Sequence, residues 1–553
     1  MTTRDGIDAG RSALDRGDWA AARAAFEASL QHGETPEALE GLGLAAWWLD
    51  RGEVVFDVRE RAYRLYRERG DAAGAARMAV WLAWDTAAFR GEQAVANGWL
   101  QRARRLLDGR PESVEHAWLA LRSGIFALLD DGDAEVAERF ASEAVRIGQA
   151  LGAVDHEMVG RALHGFARVT AGAAAEGLHE LDEVNAAVLA GEMGDWVLIG
   201  LAGCYMVAAC ERIRDYERAL QWSDRLQGFC AKRGLRPLFA VCRTQYASVC
   251  MWRGEWEQAE RELTVASDEL AASRPAMAAE GTVRLGELRR RQGRLDEAAA
   301  LFERSLTHPL AALGRASVVF DRGDSAAAAD LAERHLRRLP ANNRTERAAA
   351  LELMVRACLE LGRIEDARPA AEELEAIAHE ARTGPLRALA LLARGLLEAR
   401  AGDPQSARKR LEDAVDLFRQ SAAPFETGRA RLELARVMDA LGRRAAAGDE
   451  VRRAIEDLEP LGARLELERA RTLLEAWRAR PSEPSVARDR NGLTPREVEV
   501  LRLISDGLNN QAIADRLFIS EHTVHRHVAN VLGKLDVSSR SAAVAQAGRL
   551  GLL

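Results

Sequence analysis

The chain has 553 residues, 48% hydrophobic and 29% charged, a composition that suits packed domains or a long repeat array and excludes wholesale disorder. No run of 18 apolar residues offers a membrane span, and the opening Met1-Thr2-Thr3-Arg4 lacks the basic-then-apolar pattern of a secretory leader, so the expected location is the cytoplasm. The net charge of −8 is uneven: residues 491–553 hold seven Lys/Arg against six Asp/Glu, so the acidity lies before them and phosphate attraction, though modest, belongs to the C-terminal end.

From the start to about residue 478 a short phrase recurs, a turn with Gly flanked by Arg and an acid, followed by an Ala-rich helix. It appears at Arg16-Gly17-Asp18, Arg51-Gly52-Glu53, Arg90-Gly91-Glu92 and Asp131-Gly132-Asp133. It continues at Gly172, at Arg214-Asp215 with Arg in place of Gly, and at Gly254, Gly293, Gly323, Gly362, Gly402 and Gly442. Most spacings are 39–42 residues, which implies one helix pair per period. The helices carry apolar residues three and four apart, as in Trp256, Ala259, Leu263 and Ala266. One pair cannot bury such a stripe alone, so stacking into a solenoid follows. The pattern resembles tetratricopeptide repeats with longer helices; a HEAT-like array is the alternative description of the same physics. Gly293 to Gly323 is about ten residues short, which implies a truncated helix or a joint near 307–317, around Pro309.

Twelve tryptophans, among them Trp47/Trp48 and Trp81/Trp84, read as packing between repeats rather than as a ligand pocket. Five of the six cysteines fall between Cys204 and Cys250 without a Cys-x-x-Cys pair, and read as small core residues. The concave face of such an array commonly binds a protein or peptide, so an effector (protein, peptide or small molecule) is expected there.

Arg480-Pro481-Ser482-Glu483-Pro484-Ser485 interrupts the helical pattern, and residues 479–490 read as a linker. Then Thr494-Pro495-Arg496-Glu497 forms a capping box with proline at the first helical position. That helix should end at Asp506-Gly507. A second begins near Asn509-Asn510, a tight turn follows at Phe518-Ile519-Ser520, and Ser520 caps a third over 521–535. Two short helices joined by a tight turn make a helix-turn-helix. Ile513, Leu517, Ile519, Val524, Val528, Val531 and Leu532 should fill its core.

These residues resemble the LuxR-type DNA-binding family over about 60 positions in one register: Leu493-Thr494-Pro495-Arg496-Glu497, Gly507-Leu508-Asn509-Asn510, Ile513-Ala514, Leu517-Phe518-Ile519-Ser520, Thr523-Val524, His527-Val528, Lys534-Leu535 and Val537-Ser538-Ser539-Arg540. A sigma-factor region can open on the same five residues, but the third helix and its Ser-Ser-Arg ending favour the LuxR type. The resemblance implies a bacterial transcription regulator that binds double-stranded DNA. Its third helix would enter the major groove with His525, Arg526 and Ala529 toward base edges, Arg526 being the best guanine reader. Thr523, His527, Asn510 and Gln511 would contact phosphates, Val524 would be core or a base-methyl contact, and Asn530 completes the expected interface. The fourth helix, 539–549, would make a homodimer through Ala542, Ala543, Val544, Ala545, Ala547 and Leu550.

This chain departs from the family in having His522 and Gln511 where cations are frequent, His525 where Lys is often found, and Asp536 where Gly is common. An adaptor that has lost DNA binding is therefore the alternative function. Large regulators of this type often carry an ATP-binding module. Lys232, Lys409 and Lys534 are the only lysines and none sits in Gly-x-x-x-x-Gly-Lys-Ser/Thr, so no ATPase is expected. Neither catalysis, nor a cofactor, nor a metal site is expected. The expected fold is all-α: a TPR-like array over 1–478, the linker, and a four-helix DNA-binding domain over 491–553.

Overall fold

The computed structural model describes residues 3–233, 236–271, 274–306, 308–479, 493–517, 519, 521–535, 537 and 539–553. The side chains of 227, 230–242, 478, 479, 495 and 522 are also left undescribed. Several expectations therefore lie outside the described residues: the linker from 480, the Ser520 cap, Phe518, Asp536, Ser538, Thr307, and the side chains of Cys230, Cys242 and His522. The described residues are all-α, with 29 α-helices, one π-helical turn and no strand.

The repeated phrase has a local physical meaning. Gly in the left-handed region ends one helix, and the acid after it caps the next. At Gly17 (φ 73°), the Gly17 and Asp18 N–H groups donate back to Leu14 and Ala13, and the Asp18 carboxylate accepts from the Ala21 N–H at 3.0 Å. Asp133, Asp324 and Asp403 cap the same way. Arg214 takes the left-handed turn without being Gly (φ 58°). One register differs from the sequence expectation. At 50–52 the left-handed residue is Asp50 (φ 56°), while Gly52 opens a helix, where an added Cβ would come 2.9 Å from the Phe89 ring.

Chain contacts divide the molecule into two compact units, one of 1–357 with 376–386, the other of 358–375 with 387–553. In the first, successive helices pack on one another from Thr3–Asp15 to Ser325–Arg338. Alternate helices also pack on one another, from Ala72–Asp85 through Val114–Leu129, Val154–Ala171, Trp196–Arg212 and Arg236–Trp252 to Pro275–Arg291 and Pro309–Asp321. This is the inner row of a tetratricopeptide-like superhelix. The row closes on itself: Pro275–Arg291 packs on the π-turn Thr86–Arg90, and Arg274 reaches the Asp50 carboxylate at 2.9 Å and the Trp47 carbonyl at 2.7 Å. The short spacing after Gly293 coincides with a nine-residue helix, Leu295–Glu303, and Pro309 opens the next.

Trp47, Trp48 and Trp118 are buried, and the rings of Trp19, Trp48, Trp47, Trp81 and Trp118 touch in series. Cys210, Cys250 and Cys358 are buried and Cys204 is half-buried. No described helix is long and apolar enough to cross a membrane.

The second unit holds the last repeats: α1 (Pro404–Gln420), α2 (Pro424–Ala440), α3 (Arg444–Leu458) and α4 (Arg464–Ala479). After them come α5 (Pro495–Ser505), α6 (Asn510–Leu517), α7 (Glu521–Lys534) and α8 (Arg540–Arg549). Helix α7 packs on α5, α6 and α8. Two apolar clusters fill the small bundle, and Leu532 packs against both. One gathers Leu493, Leu501, Val531, Leu535, Ala543 and Ala547; the other gathers Val500, Ile504, Ile513, Ala514, Ile519, Val524 and Val528, with Leu517 packed alongside.

Candidate nucleic-acid interface

Helix α5 begins as its sequence implies. The Thr494 hydroxyl accepts from the Glu497 N–H, and the Glu497 carboxylate accepts from the Thr494 N–H at 2.7 Å. The same carboxylate, almost fully buried, also receives the Lys534 ammonium at 2.7 Å, which fixes the end of α7 to the start of α5. Arg496 donates to the Leu517 carbonyl at 2.9 Å and so ties α5 to the turn between α6 and α7. The contacts of Arg496 and Lys534 are duties that sequence reasoning did not assign to these motif residues: they brace the helix-turn-helix from behind. The Asn509 side chain caps α6 by accepting from the Ala512 N–H at 2.9 Å, and Ser539 caps α8 by accepting from the Ala542 N–H at 3.2 Å.

The bracing sets how α7 presents its residues. Val524 and Val528 are buried in the core and Ile519 anchors the turn. Val524 thus occupies the core position of its two expected alternatives. His525 and Ala529 are exposed and Asn530 is half-buried. His525 stands 3.9 Å from Glu521, one turn earlier. On α6, Gln511 is exposed and donates to the Asp515 carboxylate at 3.0 Å, while Asn510 is half-buried with an enclosed side-chain oxygen. His527 is mostly enclosed. Burial, then the nearby Arg526 cation, push its imidazole down to about 4, so it is neutral at pH 7 and offers no charge to a phosphate in this state.

Thr523 and Arg526 are engaged within the chain. The Thr523 hydroxyl donates to the Glu412 carboxylate on α1, and Thr523 is only 2% exposed. The Arg526 guanidinium spans two carboxylates on different repeat helices, Glu450 on α3 at 2.7 Å and Glu412 on α1 at 3.2 Å. Both acids are buried and already paired within the repeats, Glu412 with Arg408 at 2.8 Å and Glu450 with Arg431 at 2.7 Å. In α8, Ala543 and Ala547 pack inward, leaving Ser541, Ala545, Arg549 and Leu550 exposed.

Residues 491–547 match the family described as bacterial regulatory proteins, luxR family. A "Putative HTH-type transcriptional regulator Mb0914c" of Mycobacterium bovis is 45% identical over 76 residues, 14% of this chain and 9% of that protein. The "Transcriptional regulatory protein DegU" of Brevibacillus brevis is 48% identical over 59 residues, 11% of this chain and 25% of that protein. The likeness spans a quarter or less of these relatives' lengths. Among solved structures, the APC/C hetero-tetramer Cut9-Hcn1 aligns with a TM-score of 0.46 at 15% identity, covering 86% of this chain and 93% of that one. The C-terminal segment is a LuxR-type helix-turn-helix domain.

Proposed function

We propose that the chain is a sequence-specific DNA-binding transcription regulator in which residues 491–553 read double-stranded DNA and the repeat array over 1–478 is the sensor. The observation that carries this reading is the braced helix-turn-helix of α6 and α7, within the segment that matches the luxR family. It holds a helix with His525, Arg526, Ala529 and Asn530 on the side away from the core. An Arg fork on such a helix suits the paired acceptors of guanine in the major groove. Thr523, His527, Asn510 and Gln511 take the phosphate-positioning roles, and Val524 supports the helix from the core.

The array would bind a protein, peptide or small molecule, and the domain would act as a homodimer on a two-fold-related site. Since Ala543 and Ala547 belong to the domain's own core, the dimer contact on α8 falls to Ala545, Leu550 and their exposed neighbours.

The test is selection of genomic DNA fragments by the full-length protein beside its Arg526→Ala variant. A shared motif with two-fold symmetry, lost in the variant, is the expected result. Enrichment that ignores the variant, or none at any salt concentration, would sink the regulator reading in favour of an adaptor.

A further inference from the structure

Two groups of α7 suited to DNA, Thr523 and Arg526, are in contact with the repeats. The carboxylates that hold the Arg526 guanidinium belong to the repeat helices. The Arg526 fork lies between carboxylates of two successive repeats, with four-fifths of its side-chain surface covered. Glu412 and Glu450 each already have a repeat arginine, and Glu450 also meets Arg453 at 3.1 Å. The face therefore presents two carboxylates to one guanidinium, the acceptors that its planar fork fits.

Charge complementarity points the same way. The residues before 491 carry the chain's acidity and the small domain is weakly basic. Carboxylate oxygens here take the places that phosphate and guanine acceptors would take on DNA.

We propose that the face formed by Glu412 of α1 and Glu450 of α3 is a docking surface for the reading helix of the same chain, and that DNA competes with it for Thr523 and Arg526. This rests on the DNA-binding reading above. Docked, the chain cannot present Arg526 to a base. The apparent affinity for DNA is then the intrinsic affinity scaled by the undocked fraction, and whatever shifts α1 against α3 sets that fraction. The sensor and the reader are coupled through two carboxylates.

Two measurements on the full chain test this. In the first, phenylglyoxal labels accessible arginines and mass spectrometry reads each site. In the wild-type protein Arg526 labels slowly against the exposed Arg516 of α6, and in Glu412→Gln/Glu450→Gln the two label alike. In the second, fluorescence anisotropy with duplexes selected from a random library by the double variant compares the two proteins at one salt concentration. The double variant binds tighter by about tenfold or more, the change expected when a docked fraction of nine-tenths is released. If Arg526 in the wild type labels as fast as Arg516, the docking is overturned. That result needs no variant to fold, which matters because Arg408 and Arg431 lose charged partners in the double variant. Equal affinities of wild type and variant overturn the competition. Protection of Arg526 that the variant relieves, with no duplex bound by either protein, supports the docking face but overturns both the competition and the regulator reading.

Discussion

Two stretches of the repeat array bury charge in opposite ways. Around Arg122, on the helix Val114–Leu129, a guanidinium is enclosed almost without carboxylates. It lies 3.9 Å from the Trp84 ring centre and 4.3 Å from that of Trp118, and none of its three nitrogens has a hydrogen-bond partner among the described residues. Burial lowers its pKa to about 10, so it stays charged, held by ring faces. In α1–α3 buried carboxylates and buried arginines pair with one another. Arg431 bridges Glu450 at 2.7 Å and Asp457 at 2.8 Å. An aromatic cage satisfies one cation and is then full. A carboxylate accepts from several cations at once, and Arg526 is one of those that this face holds.

The contrast can be broken by the same substitution in both places. Arg431→Met leaves Glu450 and Asp457 short of a buried partner and should cost about 3–5 kcal/mol. Arg122→Met exchanges ring attraction for relief of desolvation, and the two largely offset, so the change should stay within about 1 kcal/mol. Urea unfolding followed by tryptophan fluorescence measures both, and Trp84 and Trp118 report locally on the second. Equal losses at the two sites would erase the distinction drawn between the regions.

How much of this was legible in the sequence depends on the range of the interaction. The helix-turn-helix could be read because its signals are local: the Thr494–Glu497 box joins residues three apart, and Ile513, Val524 and Val528 follow helical spacing. The repeat period could be read because a left-handed turn selects Gly, though the 50–52 turn was misplaced since Asp50 takes that conformation and the nearby Gly52 serves a close approach to Phe89 instead. The partners of Arg526 could not be read. They lie 114 and 76 residues earlier in a chain with 85 acidic residues, and nothing in their neighbourhood marks Glu412 or Glu450 as different from the rest.

Acid offers a second probe of the carboxylate-rich region. His527 has its folded pKa lowered from 6.5 to about 4, first by burial and then by Arg526, with Arg496 adding to it and Glu497 and Glu412 opposing. Above pH 6.5 the imidazole is neutral folded or unfolded and costs nothing. As pH falls below 6.5 the unfolded chain takes up a proton that the folded one refuses, so stability is lost progressively down to about pH 4, by up to about 3 kcal/mol. Acid unfolding followed by circular dichroism should show this loss in the wild type and a flatter profile in His527→Gln. An unchanged profile would mean that the imidazole takes up its proton as readily folded as unfolded and that α7 is less enclosed than its contacts indicate.

The smallest expected effect is one in which the two stretches should agree. Ala422, between α1 and α2, holds a left-handed backbone (φ 50°) that most repeats assign to Gly, and Arg214 does the same in the other unit (φ 58°). A Cβ in that conformation costs about 1–2 kcal/mol, and the greater freedom that Gly brings to the unfolded chain returns about 0.4–1 kcal/mol of any gain. Ala422→Gly, at an exposed position, should therefore stabilise by about 0.5 kcal/mol. Arg214→Gly should gain less, because the Arg214 guanidinium lies 5.7 Å from the Trp252 ring centre and that attraction is lost with it. Thermal unfolding of both variants measures the difference. A gain at Arg214 equal to that at Ala422 would show that the ring contact contributes nothing, and would confine the aromatic retention of cations to fully enclosed sites such as Arg122.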